Sequence, residues 1–480
     1  MLATEGPLVA RVDTTNLLLQ PAEALAALVR QRQLSPVELM EATLARIAEV
    51  NPRVNAFVQL DAERGLAEAR QQEARLARGE DLGPLGGLPF GVKELENAEG
   101  FRTTAGSRAY ADRWADGDDV HVARLRAAGA ICIGKTNSPE FGYTAFTSND
   151  LFGTTRNPWS LGRTPGGSSG GAAAAIVSGM VPLATASDGG GSIRIPACFT
   201  GAFGHKPTFG LVPIGPRDML PWIDLSVYGP LTRTVRDAAL YLDQVAGYHP
   251  ADPTSYPRPV ASYLAALDEP LPALRIGLNR LMACPRVQSD ILREVDRAAA
   301  VFQDLGHQVL EADEAVESIT EHWLTLSRFQ GAAAMEDLVL HHRELFSRGY
   351  AAGLAGVEKI GAHEFGEAYR ARARLNAWVM GTFARYDLLL TPTMPLEAFA
   401  AEGPIPEDVE GVPLGGGVIA FTAPFNVSGN PAATVRAGFT DASLPAGLQI
   451  VGPRHADALV LRAAQAYERA RPWHDRWPSL

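Results

Sequence analysis

The sequence predicts an α/β fold with a mostly parallel sheet, because short apolar runs alternate with helical segments between residues 80 and 245. The runs Leu88–Val92 and Ala130–Ile133 are typical of buried strands, whereas Val120–Ala128 and Ala172–Val177 are typical of helices. With 480 residues, of which 46% are hydrophobic, the chain can bury a large core. Length alone suggests two or three domains, but no long linker divides the sequence.

The first eighty residues are predicted to be mainly helical after a loose arm at residues 1–20. Pro21–Val50 carries leucine and alanine at helical spacing, and Ser35 before Pro36 is typical of the N-cap and first turn of a second helix. Asn55–Gly79 is predicted to form a short strand and a long charged helix.

The chain after residue 245 continues the α/β pattern beyond a proline-rich crossing loop at Tyr248–Pro272. Leu396–Gly417, rich in proline and glycine, is predicted to line a cleft. The predicted strands are Leu274–Leu278, Gln308–Glu311 and Tyr386–Thr391, and the predicted helical segments are Asp290–Leu305, Ile319–Arg385 and Leu459–Arg471.

Charge and cysteine content narrow the class of protein. The chain has 43 basic and 54 acidic residues, and this net charge of −11 disfavours a nucleic-acid or anionic-membrane partner. Three separated cysteines indicate a reducing compartment, and the absence of an H-E-x-x-H sequence disfavours a zinc site. Neither a signal peptide nor a membrane-length apolar run is present, so we expect a cytoplasmic protein without a cofactor or metal.

The stretch RTPGGSSGGAAAAIVSGMVPLATASDGGGSIRIPA carries the strongest chemical signal. It places Ser168 and Ser169 between two glycine pairs, and Ser192 directly after three glycines. Glycine-rich backbone can bring several N–H groups close to one point, which creates an anion site beside a hydroxyl. Acyl transfer needs such an arrangement of nucleophile and oxyanion donors.

A serine nucleophile also needs a base, and no histidine is well placed by sequence for that task. Lys93 follows the apolar run Leu88–Val92, so a strand is expected to carry it into the interior. Burial can keep a lysine neutral and therefore able to accept a proton. Ser168 would then pass the proton of Ser192 to Lys93.

Two other motifs point elsewhere. GAICIGKT (Gly129–Thr136) matches the phosphate-loop pattern, but Ala130–Ile133 is predicted to be a strand and Pro139 opposes a helix after Lys135, so nucleotide binding is disfavoured. GGSSG (Gly166–Gly170) matches the nucleophile elbow of α/β-hydrolases without the preceding strand that the elbow requires. The missing strand disfavours a Ser-His-Asp esterase, but residue counts do not exclude it, and it stays open as an alternative.

The signature stretch resembles that of the amidase signature family of serine hydrolases, whose members use a Ser–cis-Ser–Lys triad. The resemblance extends in the family's order over roughly residues 20–470. The further matching segments are GLPFGVKE (Gly87–Glu94), GKTNSPEFG (Gly134–Gly142), GTTRNPW (Gly153–Trp159), LLLTPTMP (Leu388–Pro395), FTAPFNVSGNPA (Phe421–Ala432) and LPAGLQIVG (Leu444–Gly452).

The resemblance implies a role for each residue of the signature. Ser192 matches the nucleophile, Ser168 the serine after a cis peptide bond, and Lys93 the terminal base. One departure is Glu94, which stands where relatives usually have aspartate. The oxyanion hole would be formed by the backbone N–H groups of Gly189, Gly190, Gly191 and Ser192, and the loop would be braced by Ser169, Asp188 and Arg194.

The family's architecture implies one domain over residues 1–480, with a signature core at 80–245, a helical substrate-side region at 319–385, and a large mixed sheet covered by helices on both faces. The implied activity is amide hydrolysis, as in stand-alone amidases, aryl-acylamidases, nylon-oligomer hydrolases and urethanases, by a monomer or homodimer. The alternative is the glutaminase subunit of a tRNA-dependent amidotransferase.

Apolar residues of the expected cleft loops favour a hydrophobic amide, an anilide or an aryl carbamate as substrate. A glutamine site should instead offer charged groups to the α-amino and carboxylate groups of the substrate. The predicted cleft residues are Met219, Trp222, Tyr228, Phe421 and Phe425.

Overall fold

A computed structural model describes residues 17–215, 224–314 and 316–480. The arm predicted at the N-terminus falls largely outside these residues. Within them the α-helices are α1 (Ala22–Arg30), α2 (Pro36–Val54), α3 (Ala62–Ala77), α4 (Val120–Ala127), α5 (Gly170–Val177), α6 (Arg194–Thr200), α7 (Val235–Val245), α8 (Tyr263–Ala266), α9 (Ser289–Asp304), α10 (Thr320–Ala334), α11 (Glu336–His341), α12 (Arg348–Gly353), α13 (Ala362–Phe383), α14 (Ala423–Val427) and α15 (Asp457–Ala470).

Among the described residues, eleven of the strands numbered below form one sheet in the order β1-β3-β2-β6-β8-β7-β14-β15-β11-β9-β10, and the other four form two short hairpins. The strands are β1 (Phe57–Leu60), β2 (Pro89–Lys93), β3 (Ile131–Thr136), β4 (Ser148–Asn149), β5 (Gly153–Thr154), β6 (Leu183–Asp188), β7 (Phe203–Lys206), β8 (Val227–Thr232), β9 (Arg275–Leu278), β10 (Gln308–Glu311), β11 (Leu388–Pro392), β12 (Asp408–Val409), β13 (Val412–Pro413), β14 (Ala432–Phe439) and β15 (Pro445–Val451).

The sheet is mixed, and the predicted α/β class is confirmed. β2 runs parallel to both β3 and β6, and β9 runs parallel to both β10 and β11. The other neighbouring pairs, including β6 with β8 and β14 with β15, are antiparallel. Since β2 and β6 are parallel neighbours, the residues at their carboxyl ends come together at one edge of the sheet.

Both faces of the sheet are covered. Successive residues of β3 belong to different hydrophobic clusters, because neighbouring side chains of a strand point to opposite faces. Ile131 and Ile133 join the cluster that contains α5, whereas Cys132 joins the larger cluster that contains α7 and α9. Every residue of α5 is buried, which explains why its sequence is apolar all round.

Local signals determine several element boundaries. The hydroxyl of Ser35 accepts a hydrogen bond from the Val37 N–H at 2.9 Å, and the Ser35 N–H donates to the Glu38 carboxylate at 3.0 Å. This capping box begins α2 at the predicted position. Two predicted loops contain short elements that their proline content concealed: Tyr248–Pro272 holds α8, and Leu396–Gly417 holds the β12–β13 hairpin.

Candidate active site

Lys93 is the last residue of β2 and is completely buried. Its Nζ donates to Ser168 Oγ at 2.8 Å, to Ser187 Oγ at 2.9 Å and to the Ser187 carbonyl at 3.3 Å. Burial lowers the pKa of Lys93 to about 7, although the negative charges of Glu96 and Asp188 oppose this shift. The lysine is therefore close to the point at which it can accept a proton near neutral pH.

Ser168 and Ser192 line the same cavity, and each serine lies just before the N-terminus of a different helix. Ser168 precedes α5, and the peptide bond that joins it to Gly167 is cis. Ser192 precedes α6 and is half-buried, and its carbonyl accepts the N–H of Ser169 at 3.3 Å. Among the described residues no hydrogen bond joins the two hydroxyls, so the structure brings Lys93 and Ser168 together and places Ser192 beside them in the cavity wall.

The glycine loop before Ser192 lines this cavity. Gly191 has φ +138°, a conformation that favours glycine, and its N–H donates to Asp188 Oδ1 at 2.7 Å. The prediction that the Gly191 N–H belongs to the oxyanion hole was therefore wrong, because this N–H already donates to the Asp188 carboxylate. Within the described part of the chain, the N–H groups of Gly189, Gly190 and Ser192 make no hydrogen bond, and all three residues line the cavity.

A buried ion pair braces the loop. Asp188 binds Nε and Nη2 of Arg194 at 2.9 and 2.8 Å, and both side chains are fully buried. Burial by itself would raise the pKa of the Asp188 carboxyl, but the Arg194 guanidinium holds it well below its usual range. The carboxylate also accepts the Ile193 N–H at 3.1 Å, so it fixes both ends of the turn that carries Ser192.

Sequence reasoning missed the residues that hold this ion pair from the other side. Arg194 Nη1 donates to the Thr422 carbonyl and to Gln449 Oε1, each at 2.8 Å. Asn426 donates to the Asp188 carbonyl at 2.7 Å and accepts from Arg194 Nη2 at 2.6 Å. These residues belong to two of the matching segments, FTAPFNVSGNPA and LPAGLQIVG, and this was the available signal.

Ser169, the third predicted bracing residue, and Glu94, the residue that departs from the family pattern, bind other partners. Ser169 Oγ donates to the Ser187 carbonyl at 3.3 Å. The Glu94 carboxylate accepts hydrogen bonds from Thr104 Oγ1 at 2.6 Å and from Gln59 Nε2 at 3.0 Å. The longer side chain is thus accommodated in a separate buried network, and it leaves the Lys93–Ser168 contact intact.

The cavity in front of Ser168 and Ser192 has a volume of about 270 Å³. Its walls are mainly apolar, with hydroxyl groups from Tyr143, Thr144, Ser187, Ser226 and Thr320 besides those of Ser168 and Ser192, and no charged side chain is present among the described residues that line it. The apolar lining residues are Leu95, Ala145, Ile195, Trp323, Leu324, Ile405, Val418 and Ile419.

For the residues that the structure describes, the prediction that they line the cleft was wrong. Phe421 and Phe425 are fully buried in the core. Tyr228 is also buried, and its ring stacks on that of His121 with 4.2 Å between the ring centroids. Their apolar character reflects core packing, which a sequence pattern does not separate from cleft lining. Met219 and Trp222 lie outside the described residues.

The two misleading motifs are resolved by the fold. Lys135 lies inside the buried strand β3 and donates to the Glu96 carbonyl at 2.6 Å, which is incompatible with a phosphate loop. In the described segment before Ser168 the last strand is β5, which ends at Thr154, so the nucleophile-elbow geometry is absent there. Among residues 17–215, 224–314 and 316–480, no cluster of His, Cys, Asp and Glu could hold a metal, and no helix could cross a membrane.

The family model for amidases matches residues 38–461. The chain is 39% identical to an acylamidase of Rhodococcus erythropolis, over 97% of this chain and 98% of that protein. It is also 36% identical to a glutamyl-tRNA(Gln) amidotransferase subunit of Moorella thermoacetica, over 96% of this chain and 98% of the relative.

Two solved structures resemble this chain over most of its length. A bacterial aryl acylamidase of the amidase signature enzymes superposes with a TM-score of 0.88 at 33% identity, covering 95% of this chain and 97% of that one. A 6-aminohexanoate cyclic dimer hydrolase complexed with substrate superposes with a TM-score of 0.86 at 31% identity, covering 98% and 99%. The chain belongs to the amidase signature family and is a hydrolase of amide C–N bonds.

Proposed function

We propose that this protein is an acylamidase that hydrolyses hydrophobic or aryl amides through an acyl-enzyme on Ser192, and that it also accepts aryl carbamates. The observation that supports this proposal best is the buried Lys93–Ser168 pair beneath an apolar cavity that Ser192 also lines. In this arrangement a base, a relay hydroxyl and a nucleophile would act in sequence from the interior toward the substrate.

In the acylation step, neutral Lys93 accepts the proton of Ser168 Oγ while Ser168 accepts the proton of Ser192 Oγ. The Ser192 oxygen attacks the carbonyl carbon, and the negative charge moves to the former carbonyl oxygen. The unengaged N–H groups of Gly189, Gly190 and Ser192 would stabilise that charge. Collapse breaks the C–N bond, and the proton held by Lys93 returns through Ser168 to the leaving nitrogen.

Deacylation repeats the sequence with water. The same relay removes a proton from the water that attacks the ester carbonyl, and the bond to Ser192 Oγ breaks as the proton returns to that oxygen. An aryl carbamate presents the same carbonyl geometry: cleavage of its C–N bond releases the amine and leaves a carbonate ester on Ser192 Oγ, which water releases as a carbonic acid half-ester that loses CO₂ to give an alcohol or phenol.

The character of the cavity supports the substrate class. Ile419, Val418 and Leu324 give it apolar walls that favour the burial of an acyl chain or aromatic ring. Glutamine would place an ammonium and a carboxylate in this space, and burying unpaired charges there is costly. The likeness to amidotransferase subunits makes glutamine hydrolysis the second candidate, and the lack of charged side chains among the described lining residues argues against it.

A hydrolysis panel tests the proposal with the isolated chain. The substrates are a 4-nitroanilide, an aryl carbamate, a short aliphatic amide and glutamine, with Ser192→Ala as the blank. We expect the highest kcat/KM for the anilide or the carbamate. Preference for glutamine would overturn the substrate class, and turnover by Ser192→Ala equal to that of the wild type would overturn the mechanism.

A further inference from the structure

Trp323 lies at the start of α10, outside the signature segment, yet it touches the glycine loop directly. Its indole N–H donates to the Gly189 carbonyl at 2.8 Å. Its ring also packs against the backbone of Gly190, where a Cβ atom would lie 2.5 Å from Cζ2 of the indole. The ring forms part of the cavity wall, so one side chain contacts both the loop and the space for substrate.

The loop contains two successive peptide planes that are held differently. The Gly190–Gly191 plane is fixed at both sides, because Thr422 Oγ1 donates to the Gly190 carbonyl at 2.6 Å and the Gly191 N–H donates to Asp188. The Gly189–Gly190 plane is fixed at its carbonyl by Trp323, and its N–H makes no hydrogen bond within the described residues.

A planar trans peptide directs its carbonyl and its N–H to opposite sides. Holding the Gly189 carbonyl on the Trp323 side therefore directs the Gly190 N–H away from the indole. Glycine resists rotation of this plane less than any other residue, so the orientation depends on the hydrogen bond that holds it.

We propose that Trp323 is a positioning residue for the reaction: its indole N–H fixes the Gly189–Gly190 peptide so that the Gly190 N–H faces the developing oxyanion. This inference rests on the proposed acyl-enzyme at Ser192. It assigns to the helical region after residue 319 a part in transition-state stabilisation, in addition to shaping the cavity.

The test is Trp323→Phe, which removes the N–H and keeps an aromatic ring. Loss of one oxyanion donor costs about 10²–10³ in kcat, so indirect loss of its orientation should lower kcat by roughly 10–100-fold. KM should change by less than about threefold, since the ring still lines the cavity. The affinity for a trifluoromethyl ketone, which forms a tetrahedral adduct with serine, should fall in parallel with kcat/KM.

Trp473→Phe is the matched control. Trp473 is similarly buried, and its indole N–H donates to a backbone carbonyl, that of Arg233, at 2.9 Å, but it lies away from the cavity. We expect this variant to keep wild-type kcat. Titration with a fluorophosphonate counts the folded, reactive sites of each protein, so that kcat refers to intact enzyme.

If Trp323→Phe does not fold, 3-benzothienylalanine at position 323 keeps the shape of the indole and removes only its N–H, and the same fall in kcat is expected. Wild-type kcat in either folded variant would overturn the inference. So would a change confined to KM with unchanged trifluoromethyl ketone affinity, because the ring would then only shape the cavity. Failure of Ser192 labelling in the wild type would instead overturn the proposed function.

Discussion

Lys93 Nζ lies 2.8 Å behind Ser168 Oγ, and the serine rather than the lysine reaches the cavity wall. The amine has no exposed surface, so any proton that it accepts from a substrate-side group must pass through a hydroxyl. In the proposed mechanism Ser168 is that hydroxyl and acts as the relay, and Ser192, on the other glycine loop, attacks the substrate carbonyl.

Ser192→Ala should abolish both turnover and covalent labelling by a fluorophosphonate, because the nucleophilic oxygen is removed. The fold should persist, since the loop is held by Asp188 and Arg194 rather than by this hydroxyl. Labelling followed by mass spectrometry, with circular dichroism as the folding control, checks both expectations. Labelling that persists in Ser192→Ala and disappears in Ser168→Ala would reverse the two roles.

The pH dependence of kcat/KM should show one ascending limb near pH 7. The pKa of Lys93 is lowered to about 7 by burial, and the base must be neutral, so activity is lost as pH falls below this value. Lys93→Ala should lower kcat/KM by about 10²–10⁴, and Lys93→Arg should not restore it because guanidinium stays protonated.

Lys206 supplies the control for that assignment. Burial and the positive charge of Arg194 lower the pKa of Lys206 to about 7 as well, so the wild-type profile does not distinguish the two lysines. The Lys206 amine donates to the neighbouring Pro207 carbonyl at 3.0 Å and is not a cavity residue. We expect the ascending limb to persist in Lys206→Met; its disappearance there would assign the limb to Lys206.

Burial of Lys93 should also make the free energy of unfolding depend on pH. Between pH 7 and 10.5 the unfolded chain holds a proton on Lys93 that the folded chain has released, so wild-type stability gains from rising pH. Lys93→Met lacks this linkage. The free energy of unfolding of the wild type relative to Lys93→Met should increase across that window, by at most about 1.4 kcal/mol per pH unit. Urea unfolding at several pH values measures it, and a pH-independent difference would contradict the assigned shift.

Arg194→Met should destabilise the protein by about 3–5 kcal/mol, because it leaves the Asp188 carboxylate buried without its ion-pair partner. Activity should fall with it, since Asp188 also positions the turn before Ser192. Arg374→Met is the matched control: Arg374 pairs with Glu317 at the surface and should change stability little. Equal unfolding midpoints for the two variants would contradict the bracing role.

Local chemistry in the sequence was sufficient for most of the helices and strands and for the two glycine loops that line the cavity. Ser35 and Glu38 begin α2 through a capping box that involves only neighbouring residues. The apolar run before Lys93 correctly indicated a buried strand, and the glycines around Ser168 and Ser192 marked the two loops that meet at the cavity. Such signals are legible because they report the conformation and burial of a single element.

The tertiary structure determines which residues line the cavity and which hold the glycine loop in place. Asn426 contacts Asp188 across 238 residues of sequence, and Trp323 reaches the Gly189 carbonyl from a helix 134 residues away. Phe421 and Phe425 were equally apolar in sequence but turned into the core, whereas their neighbour Ile419 lines the cavity. An apolar side chain carries the same pattern in both settings, and only the packing of distant segments determines whether it meets the core or the substrate.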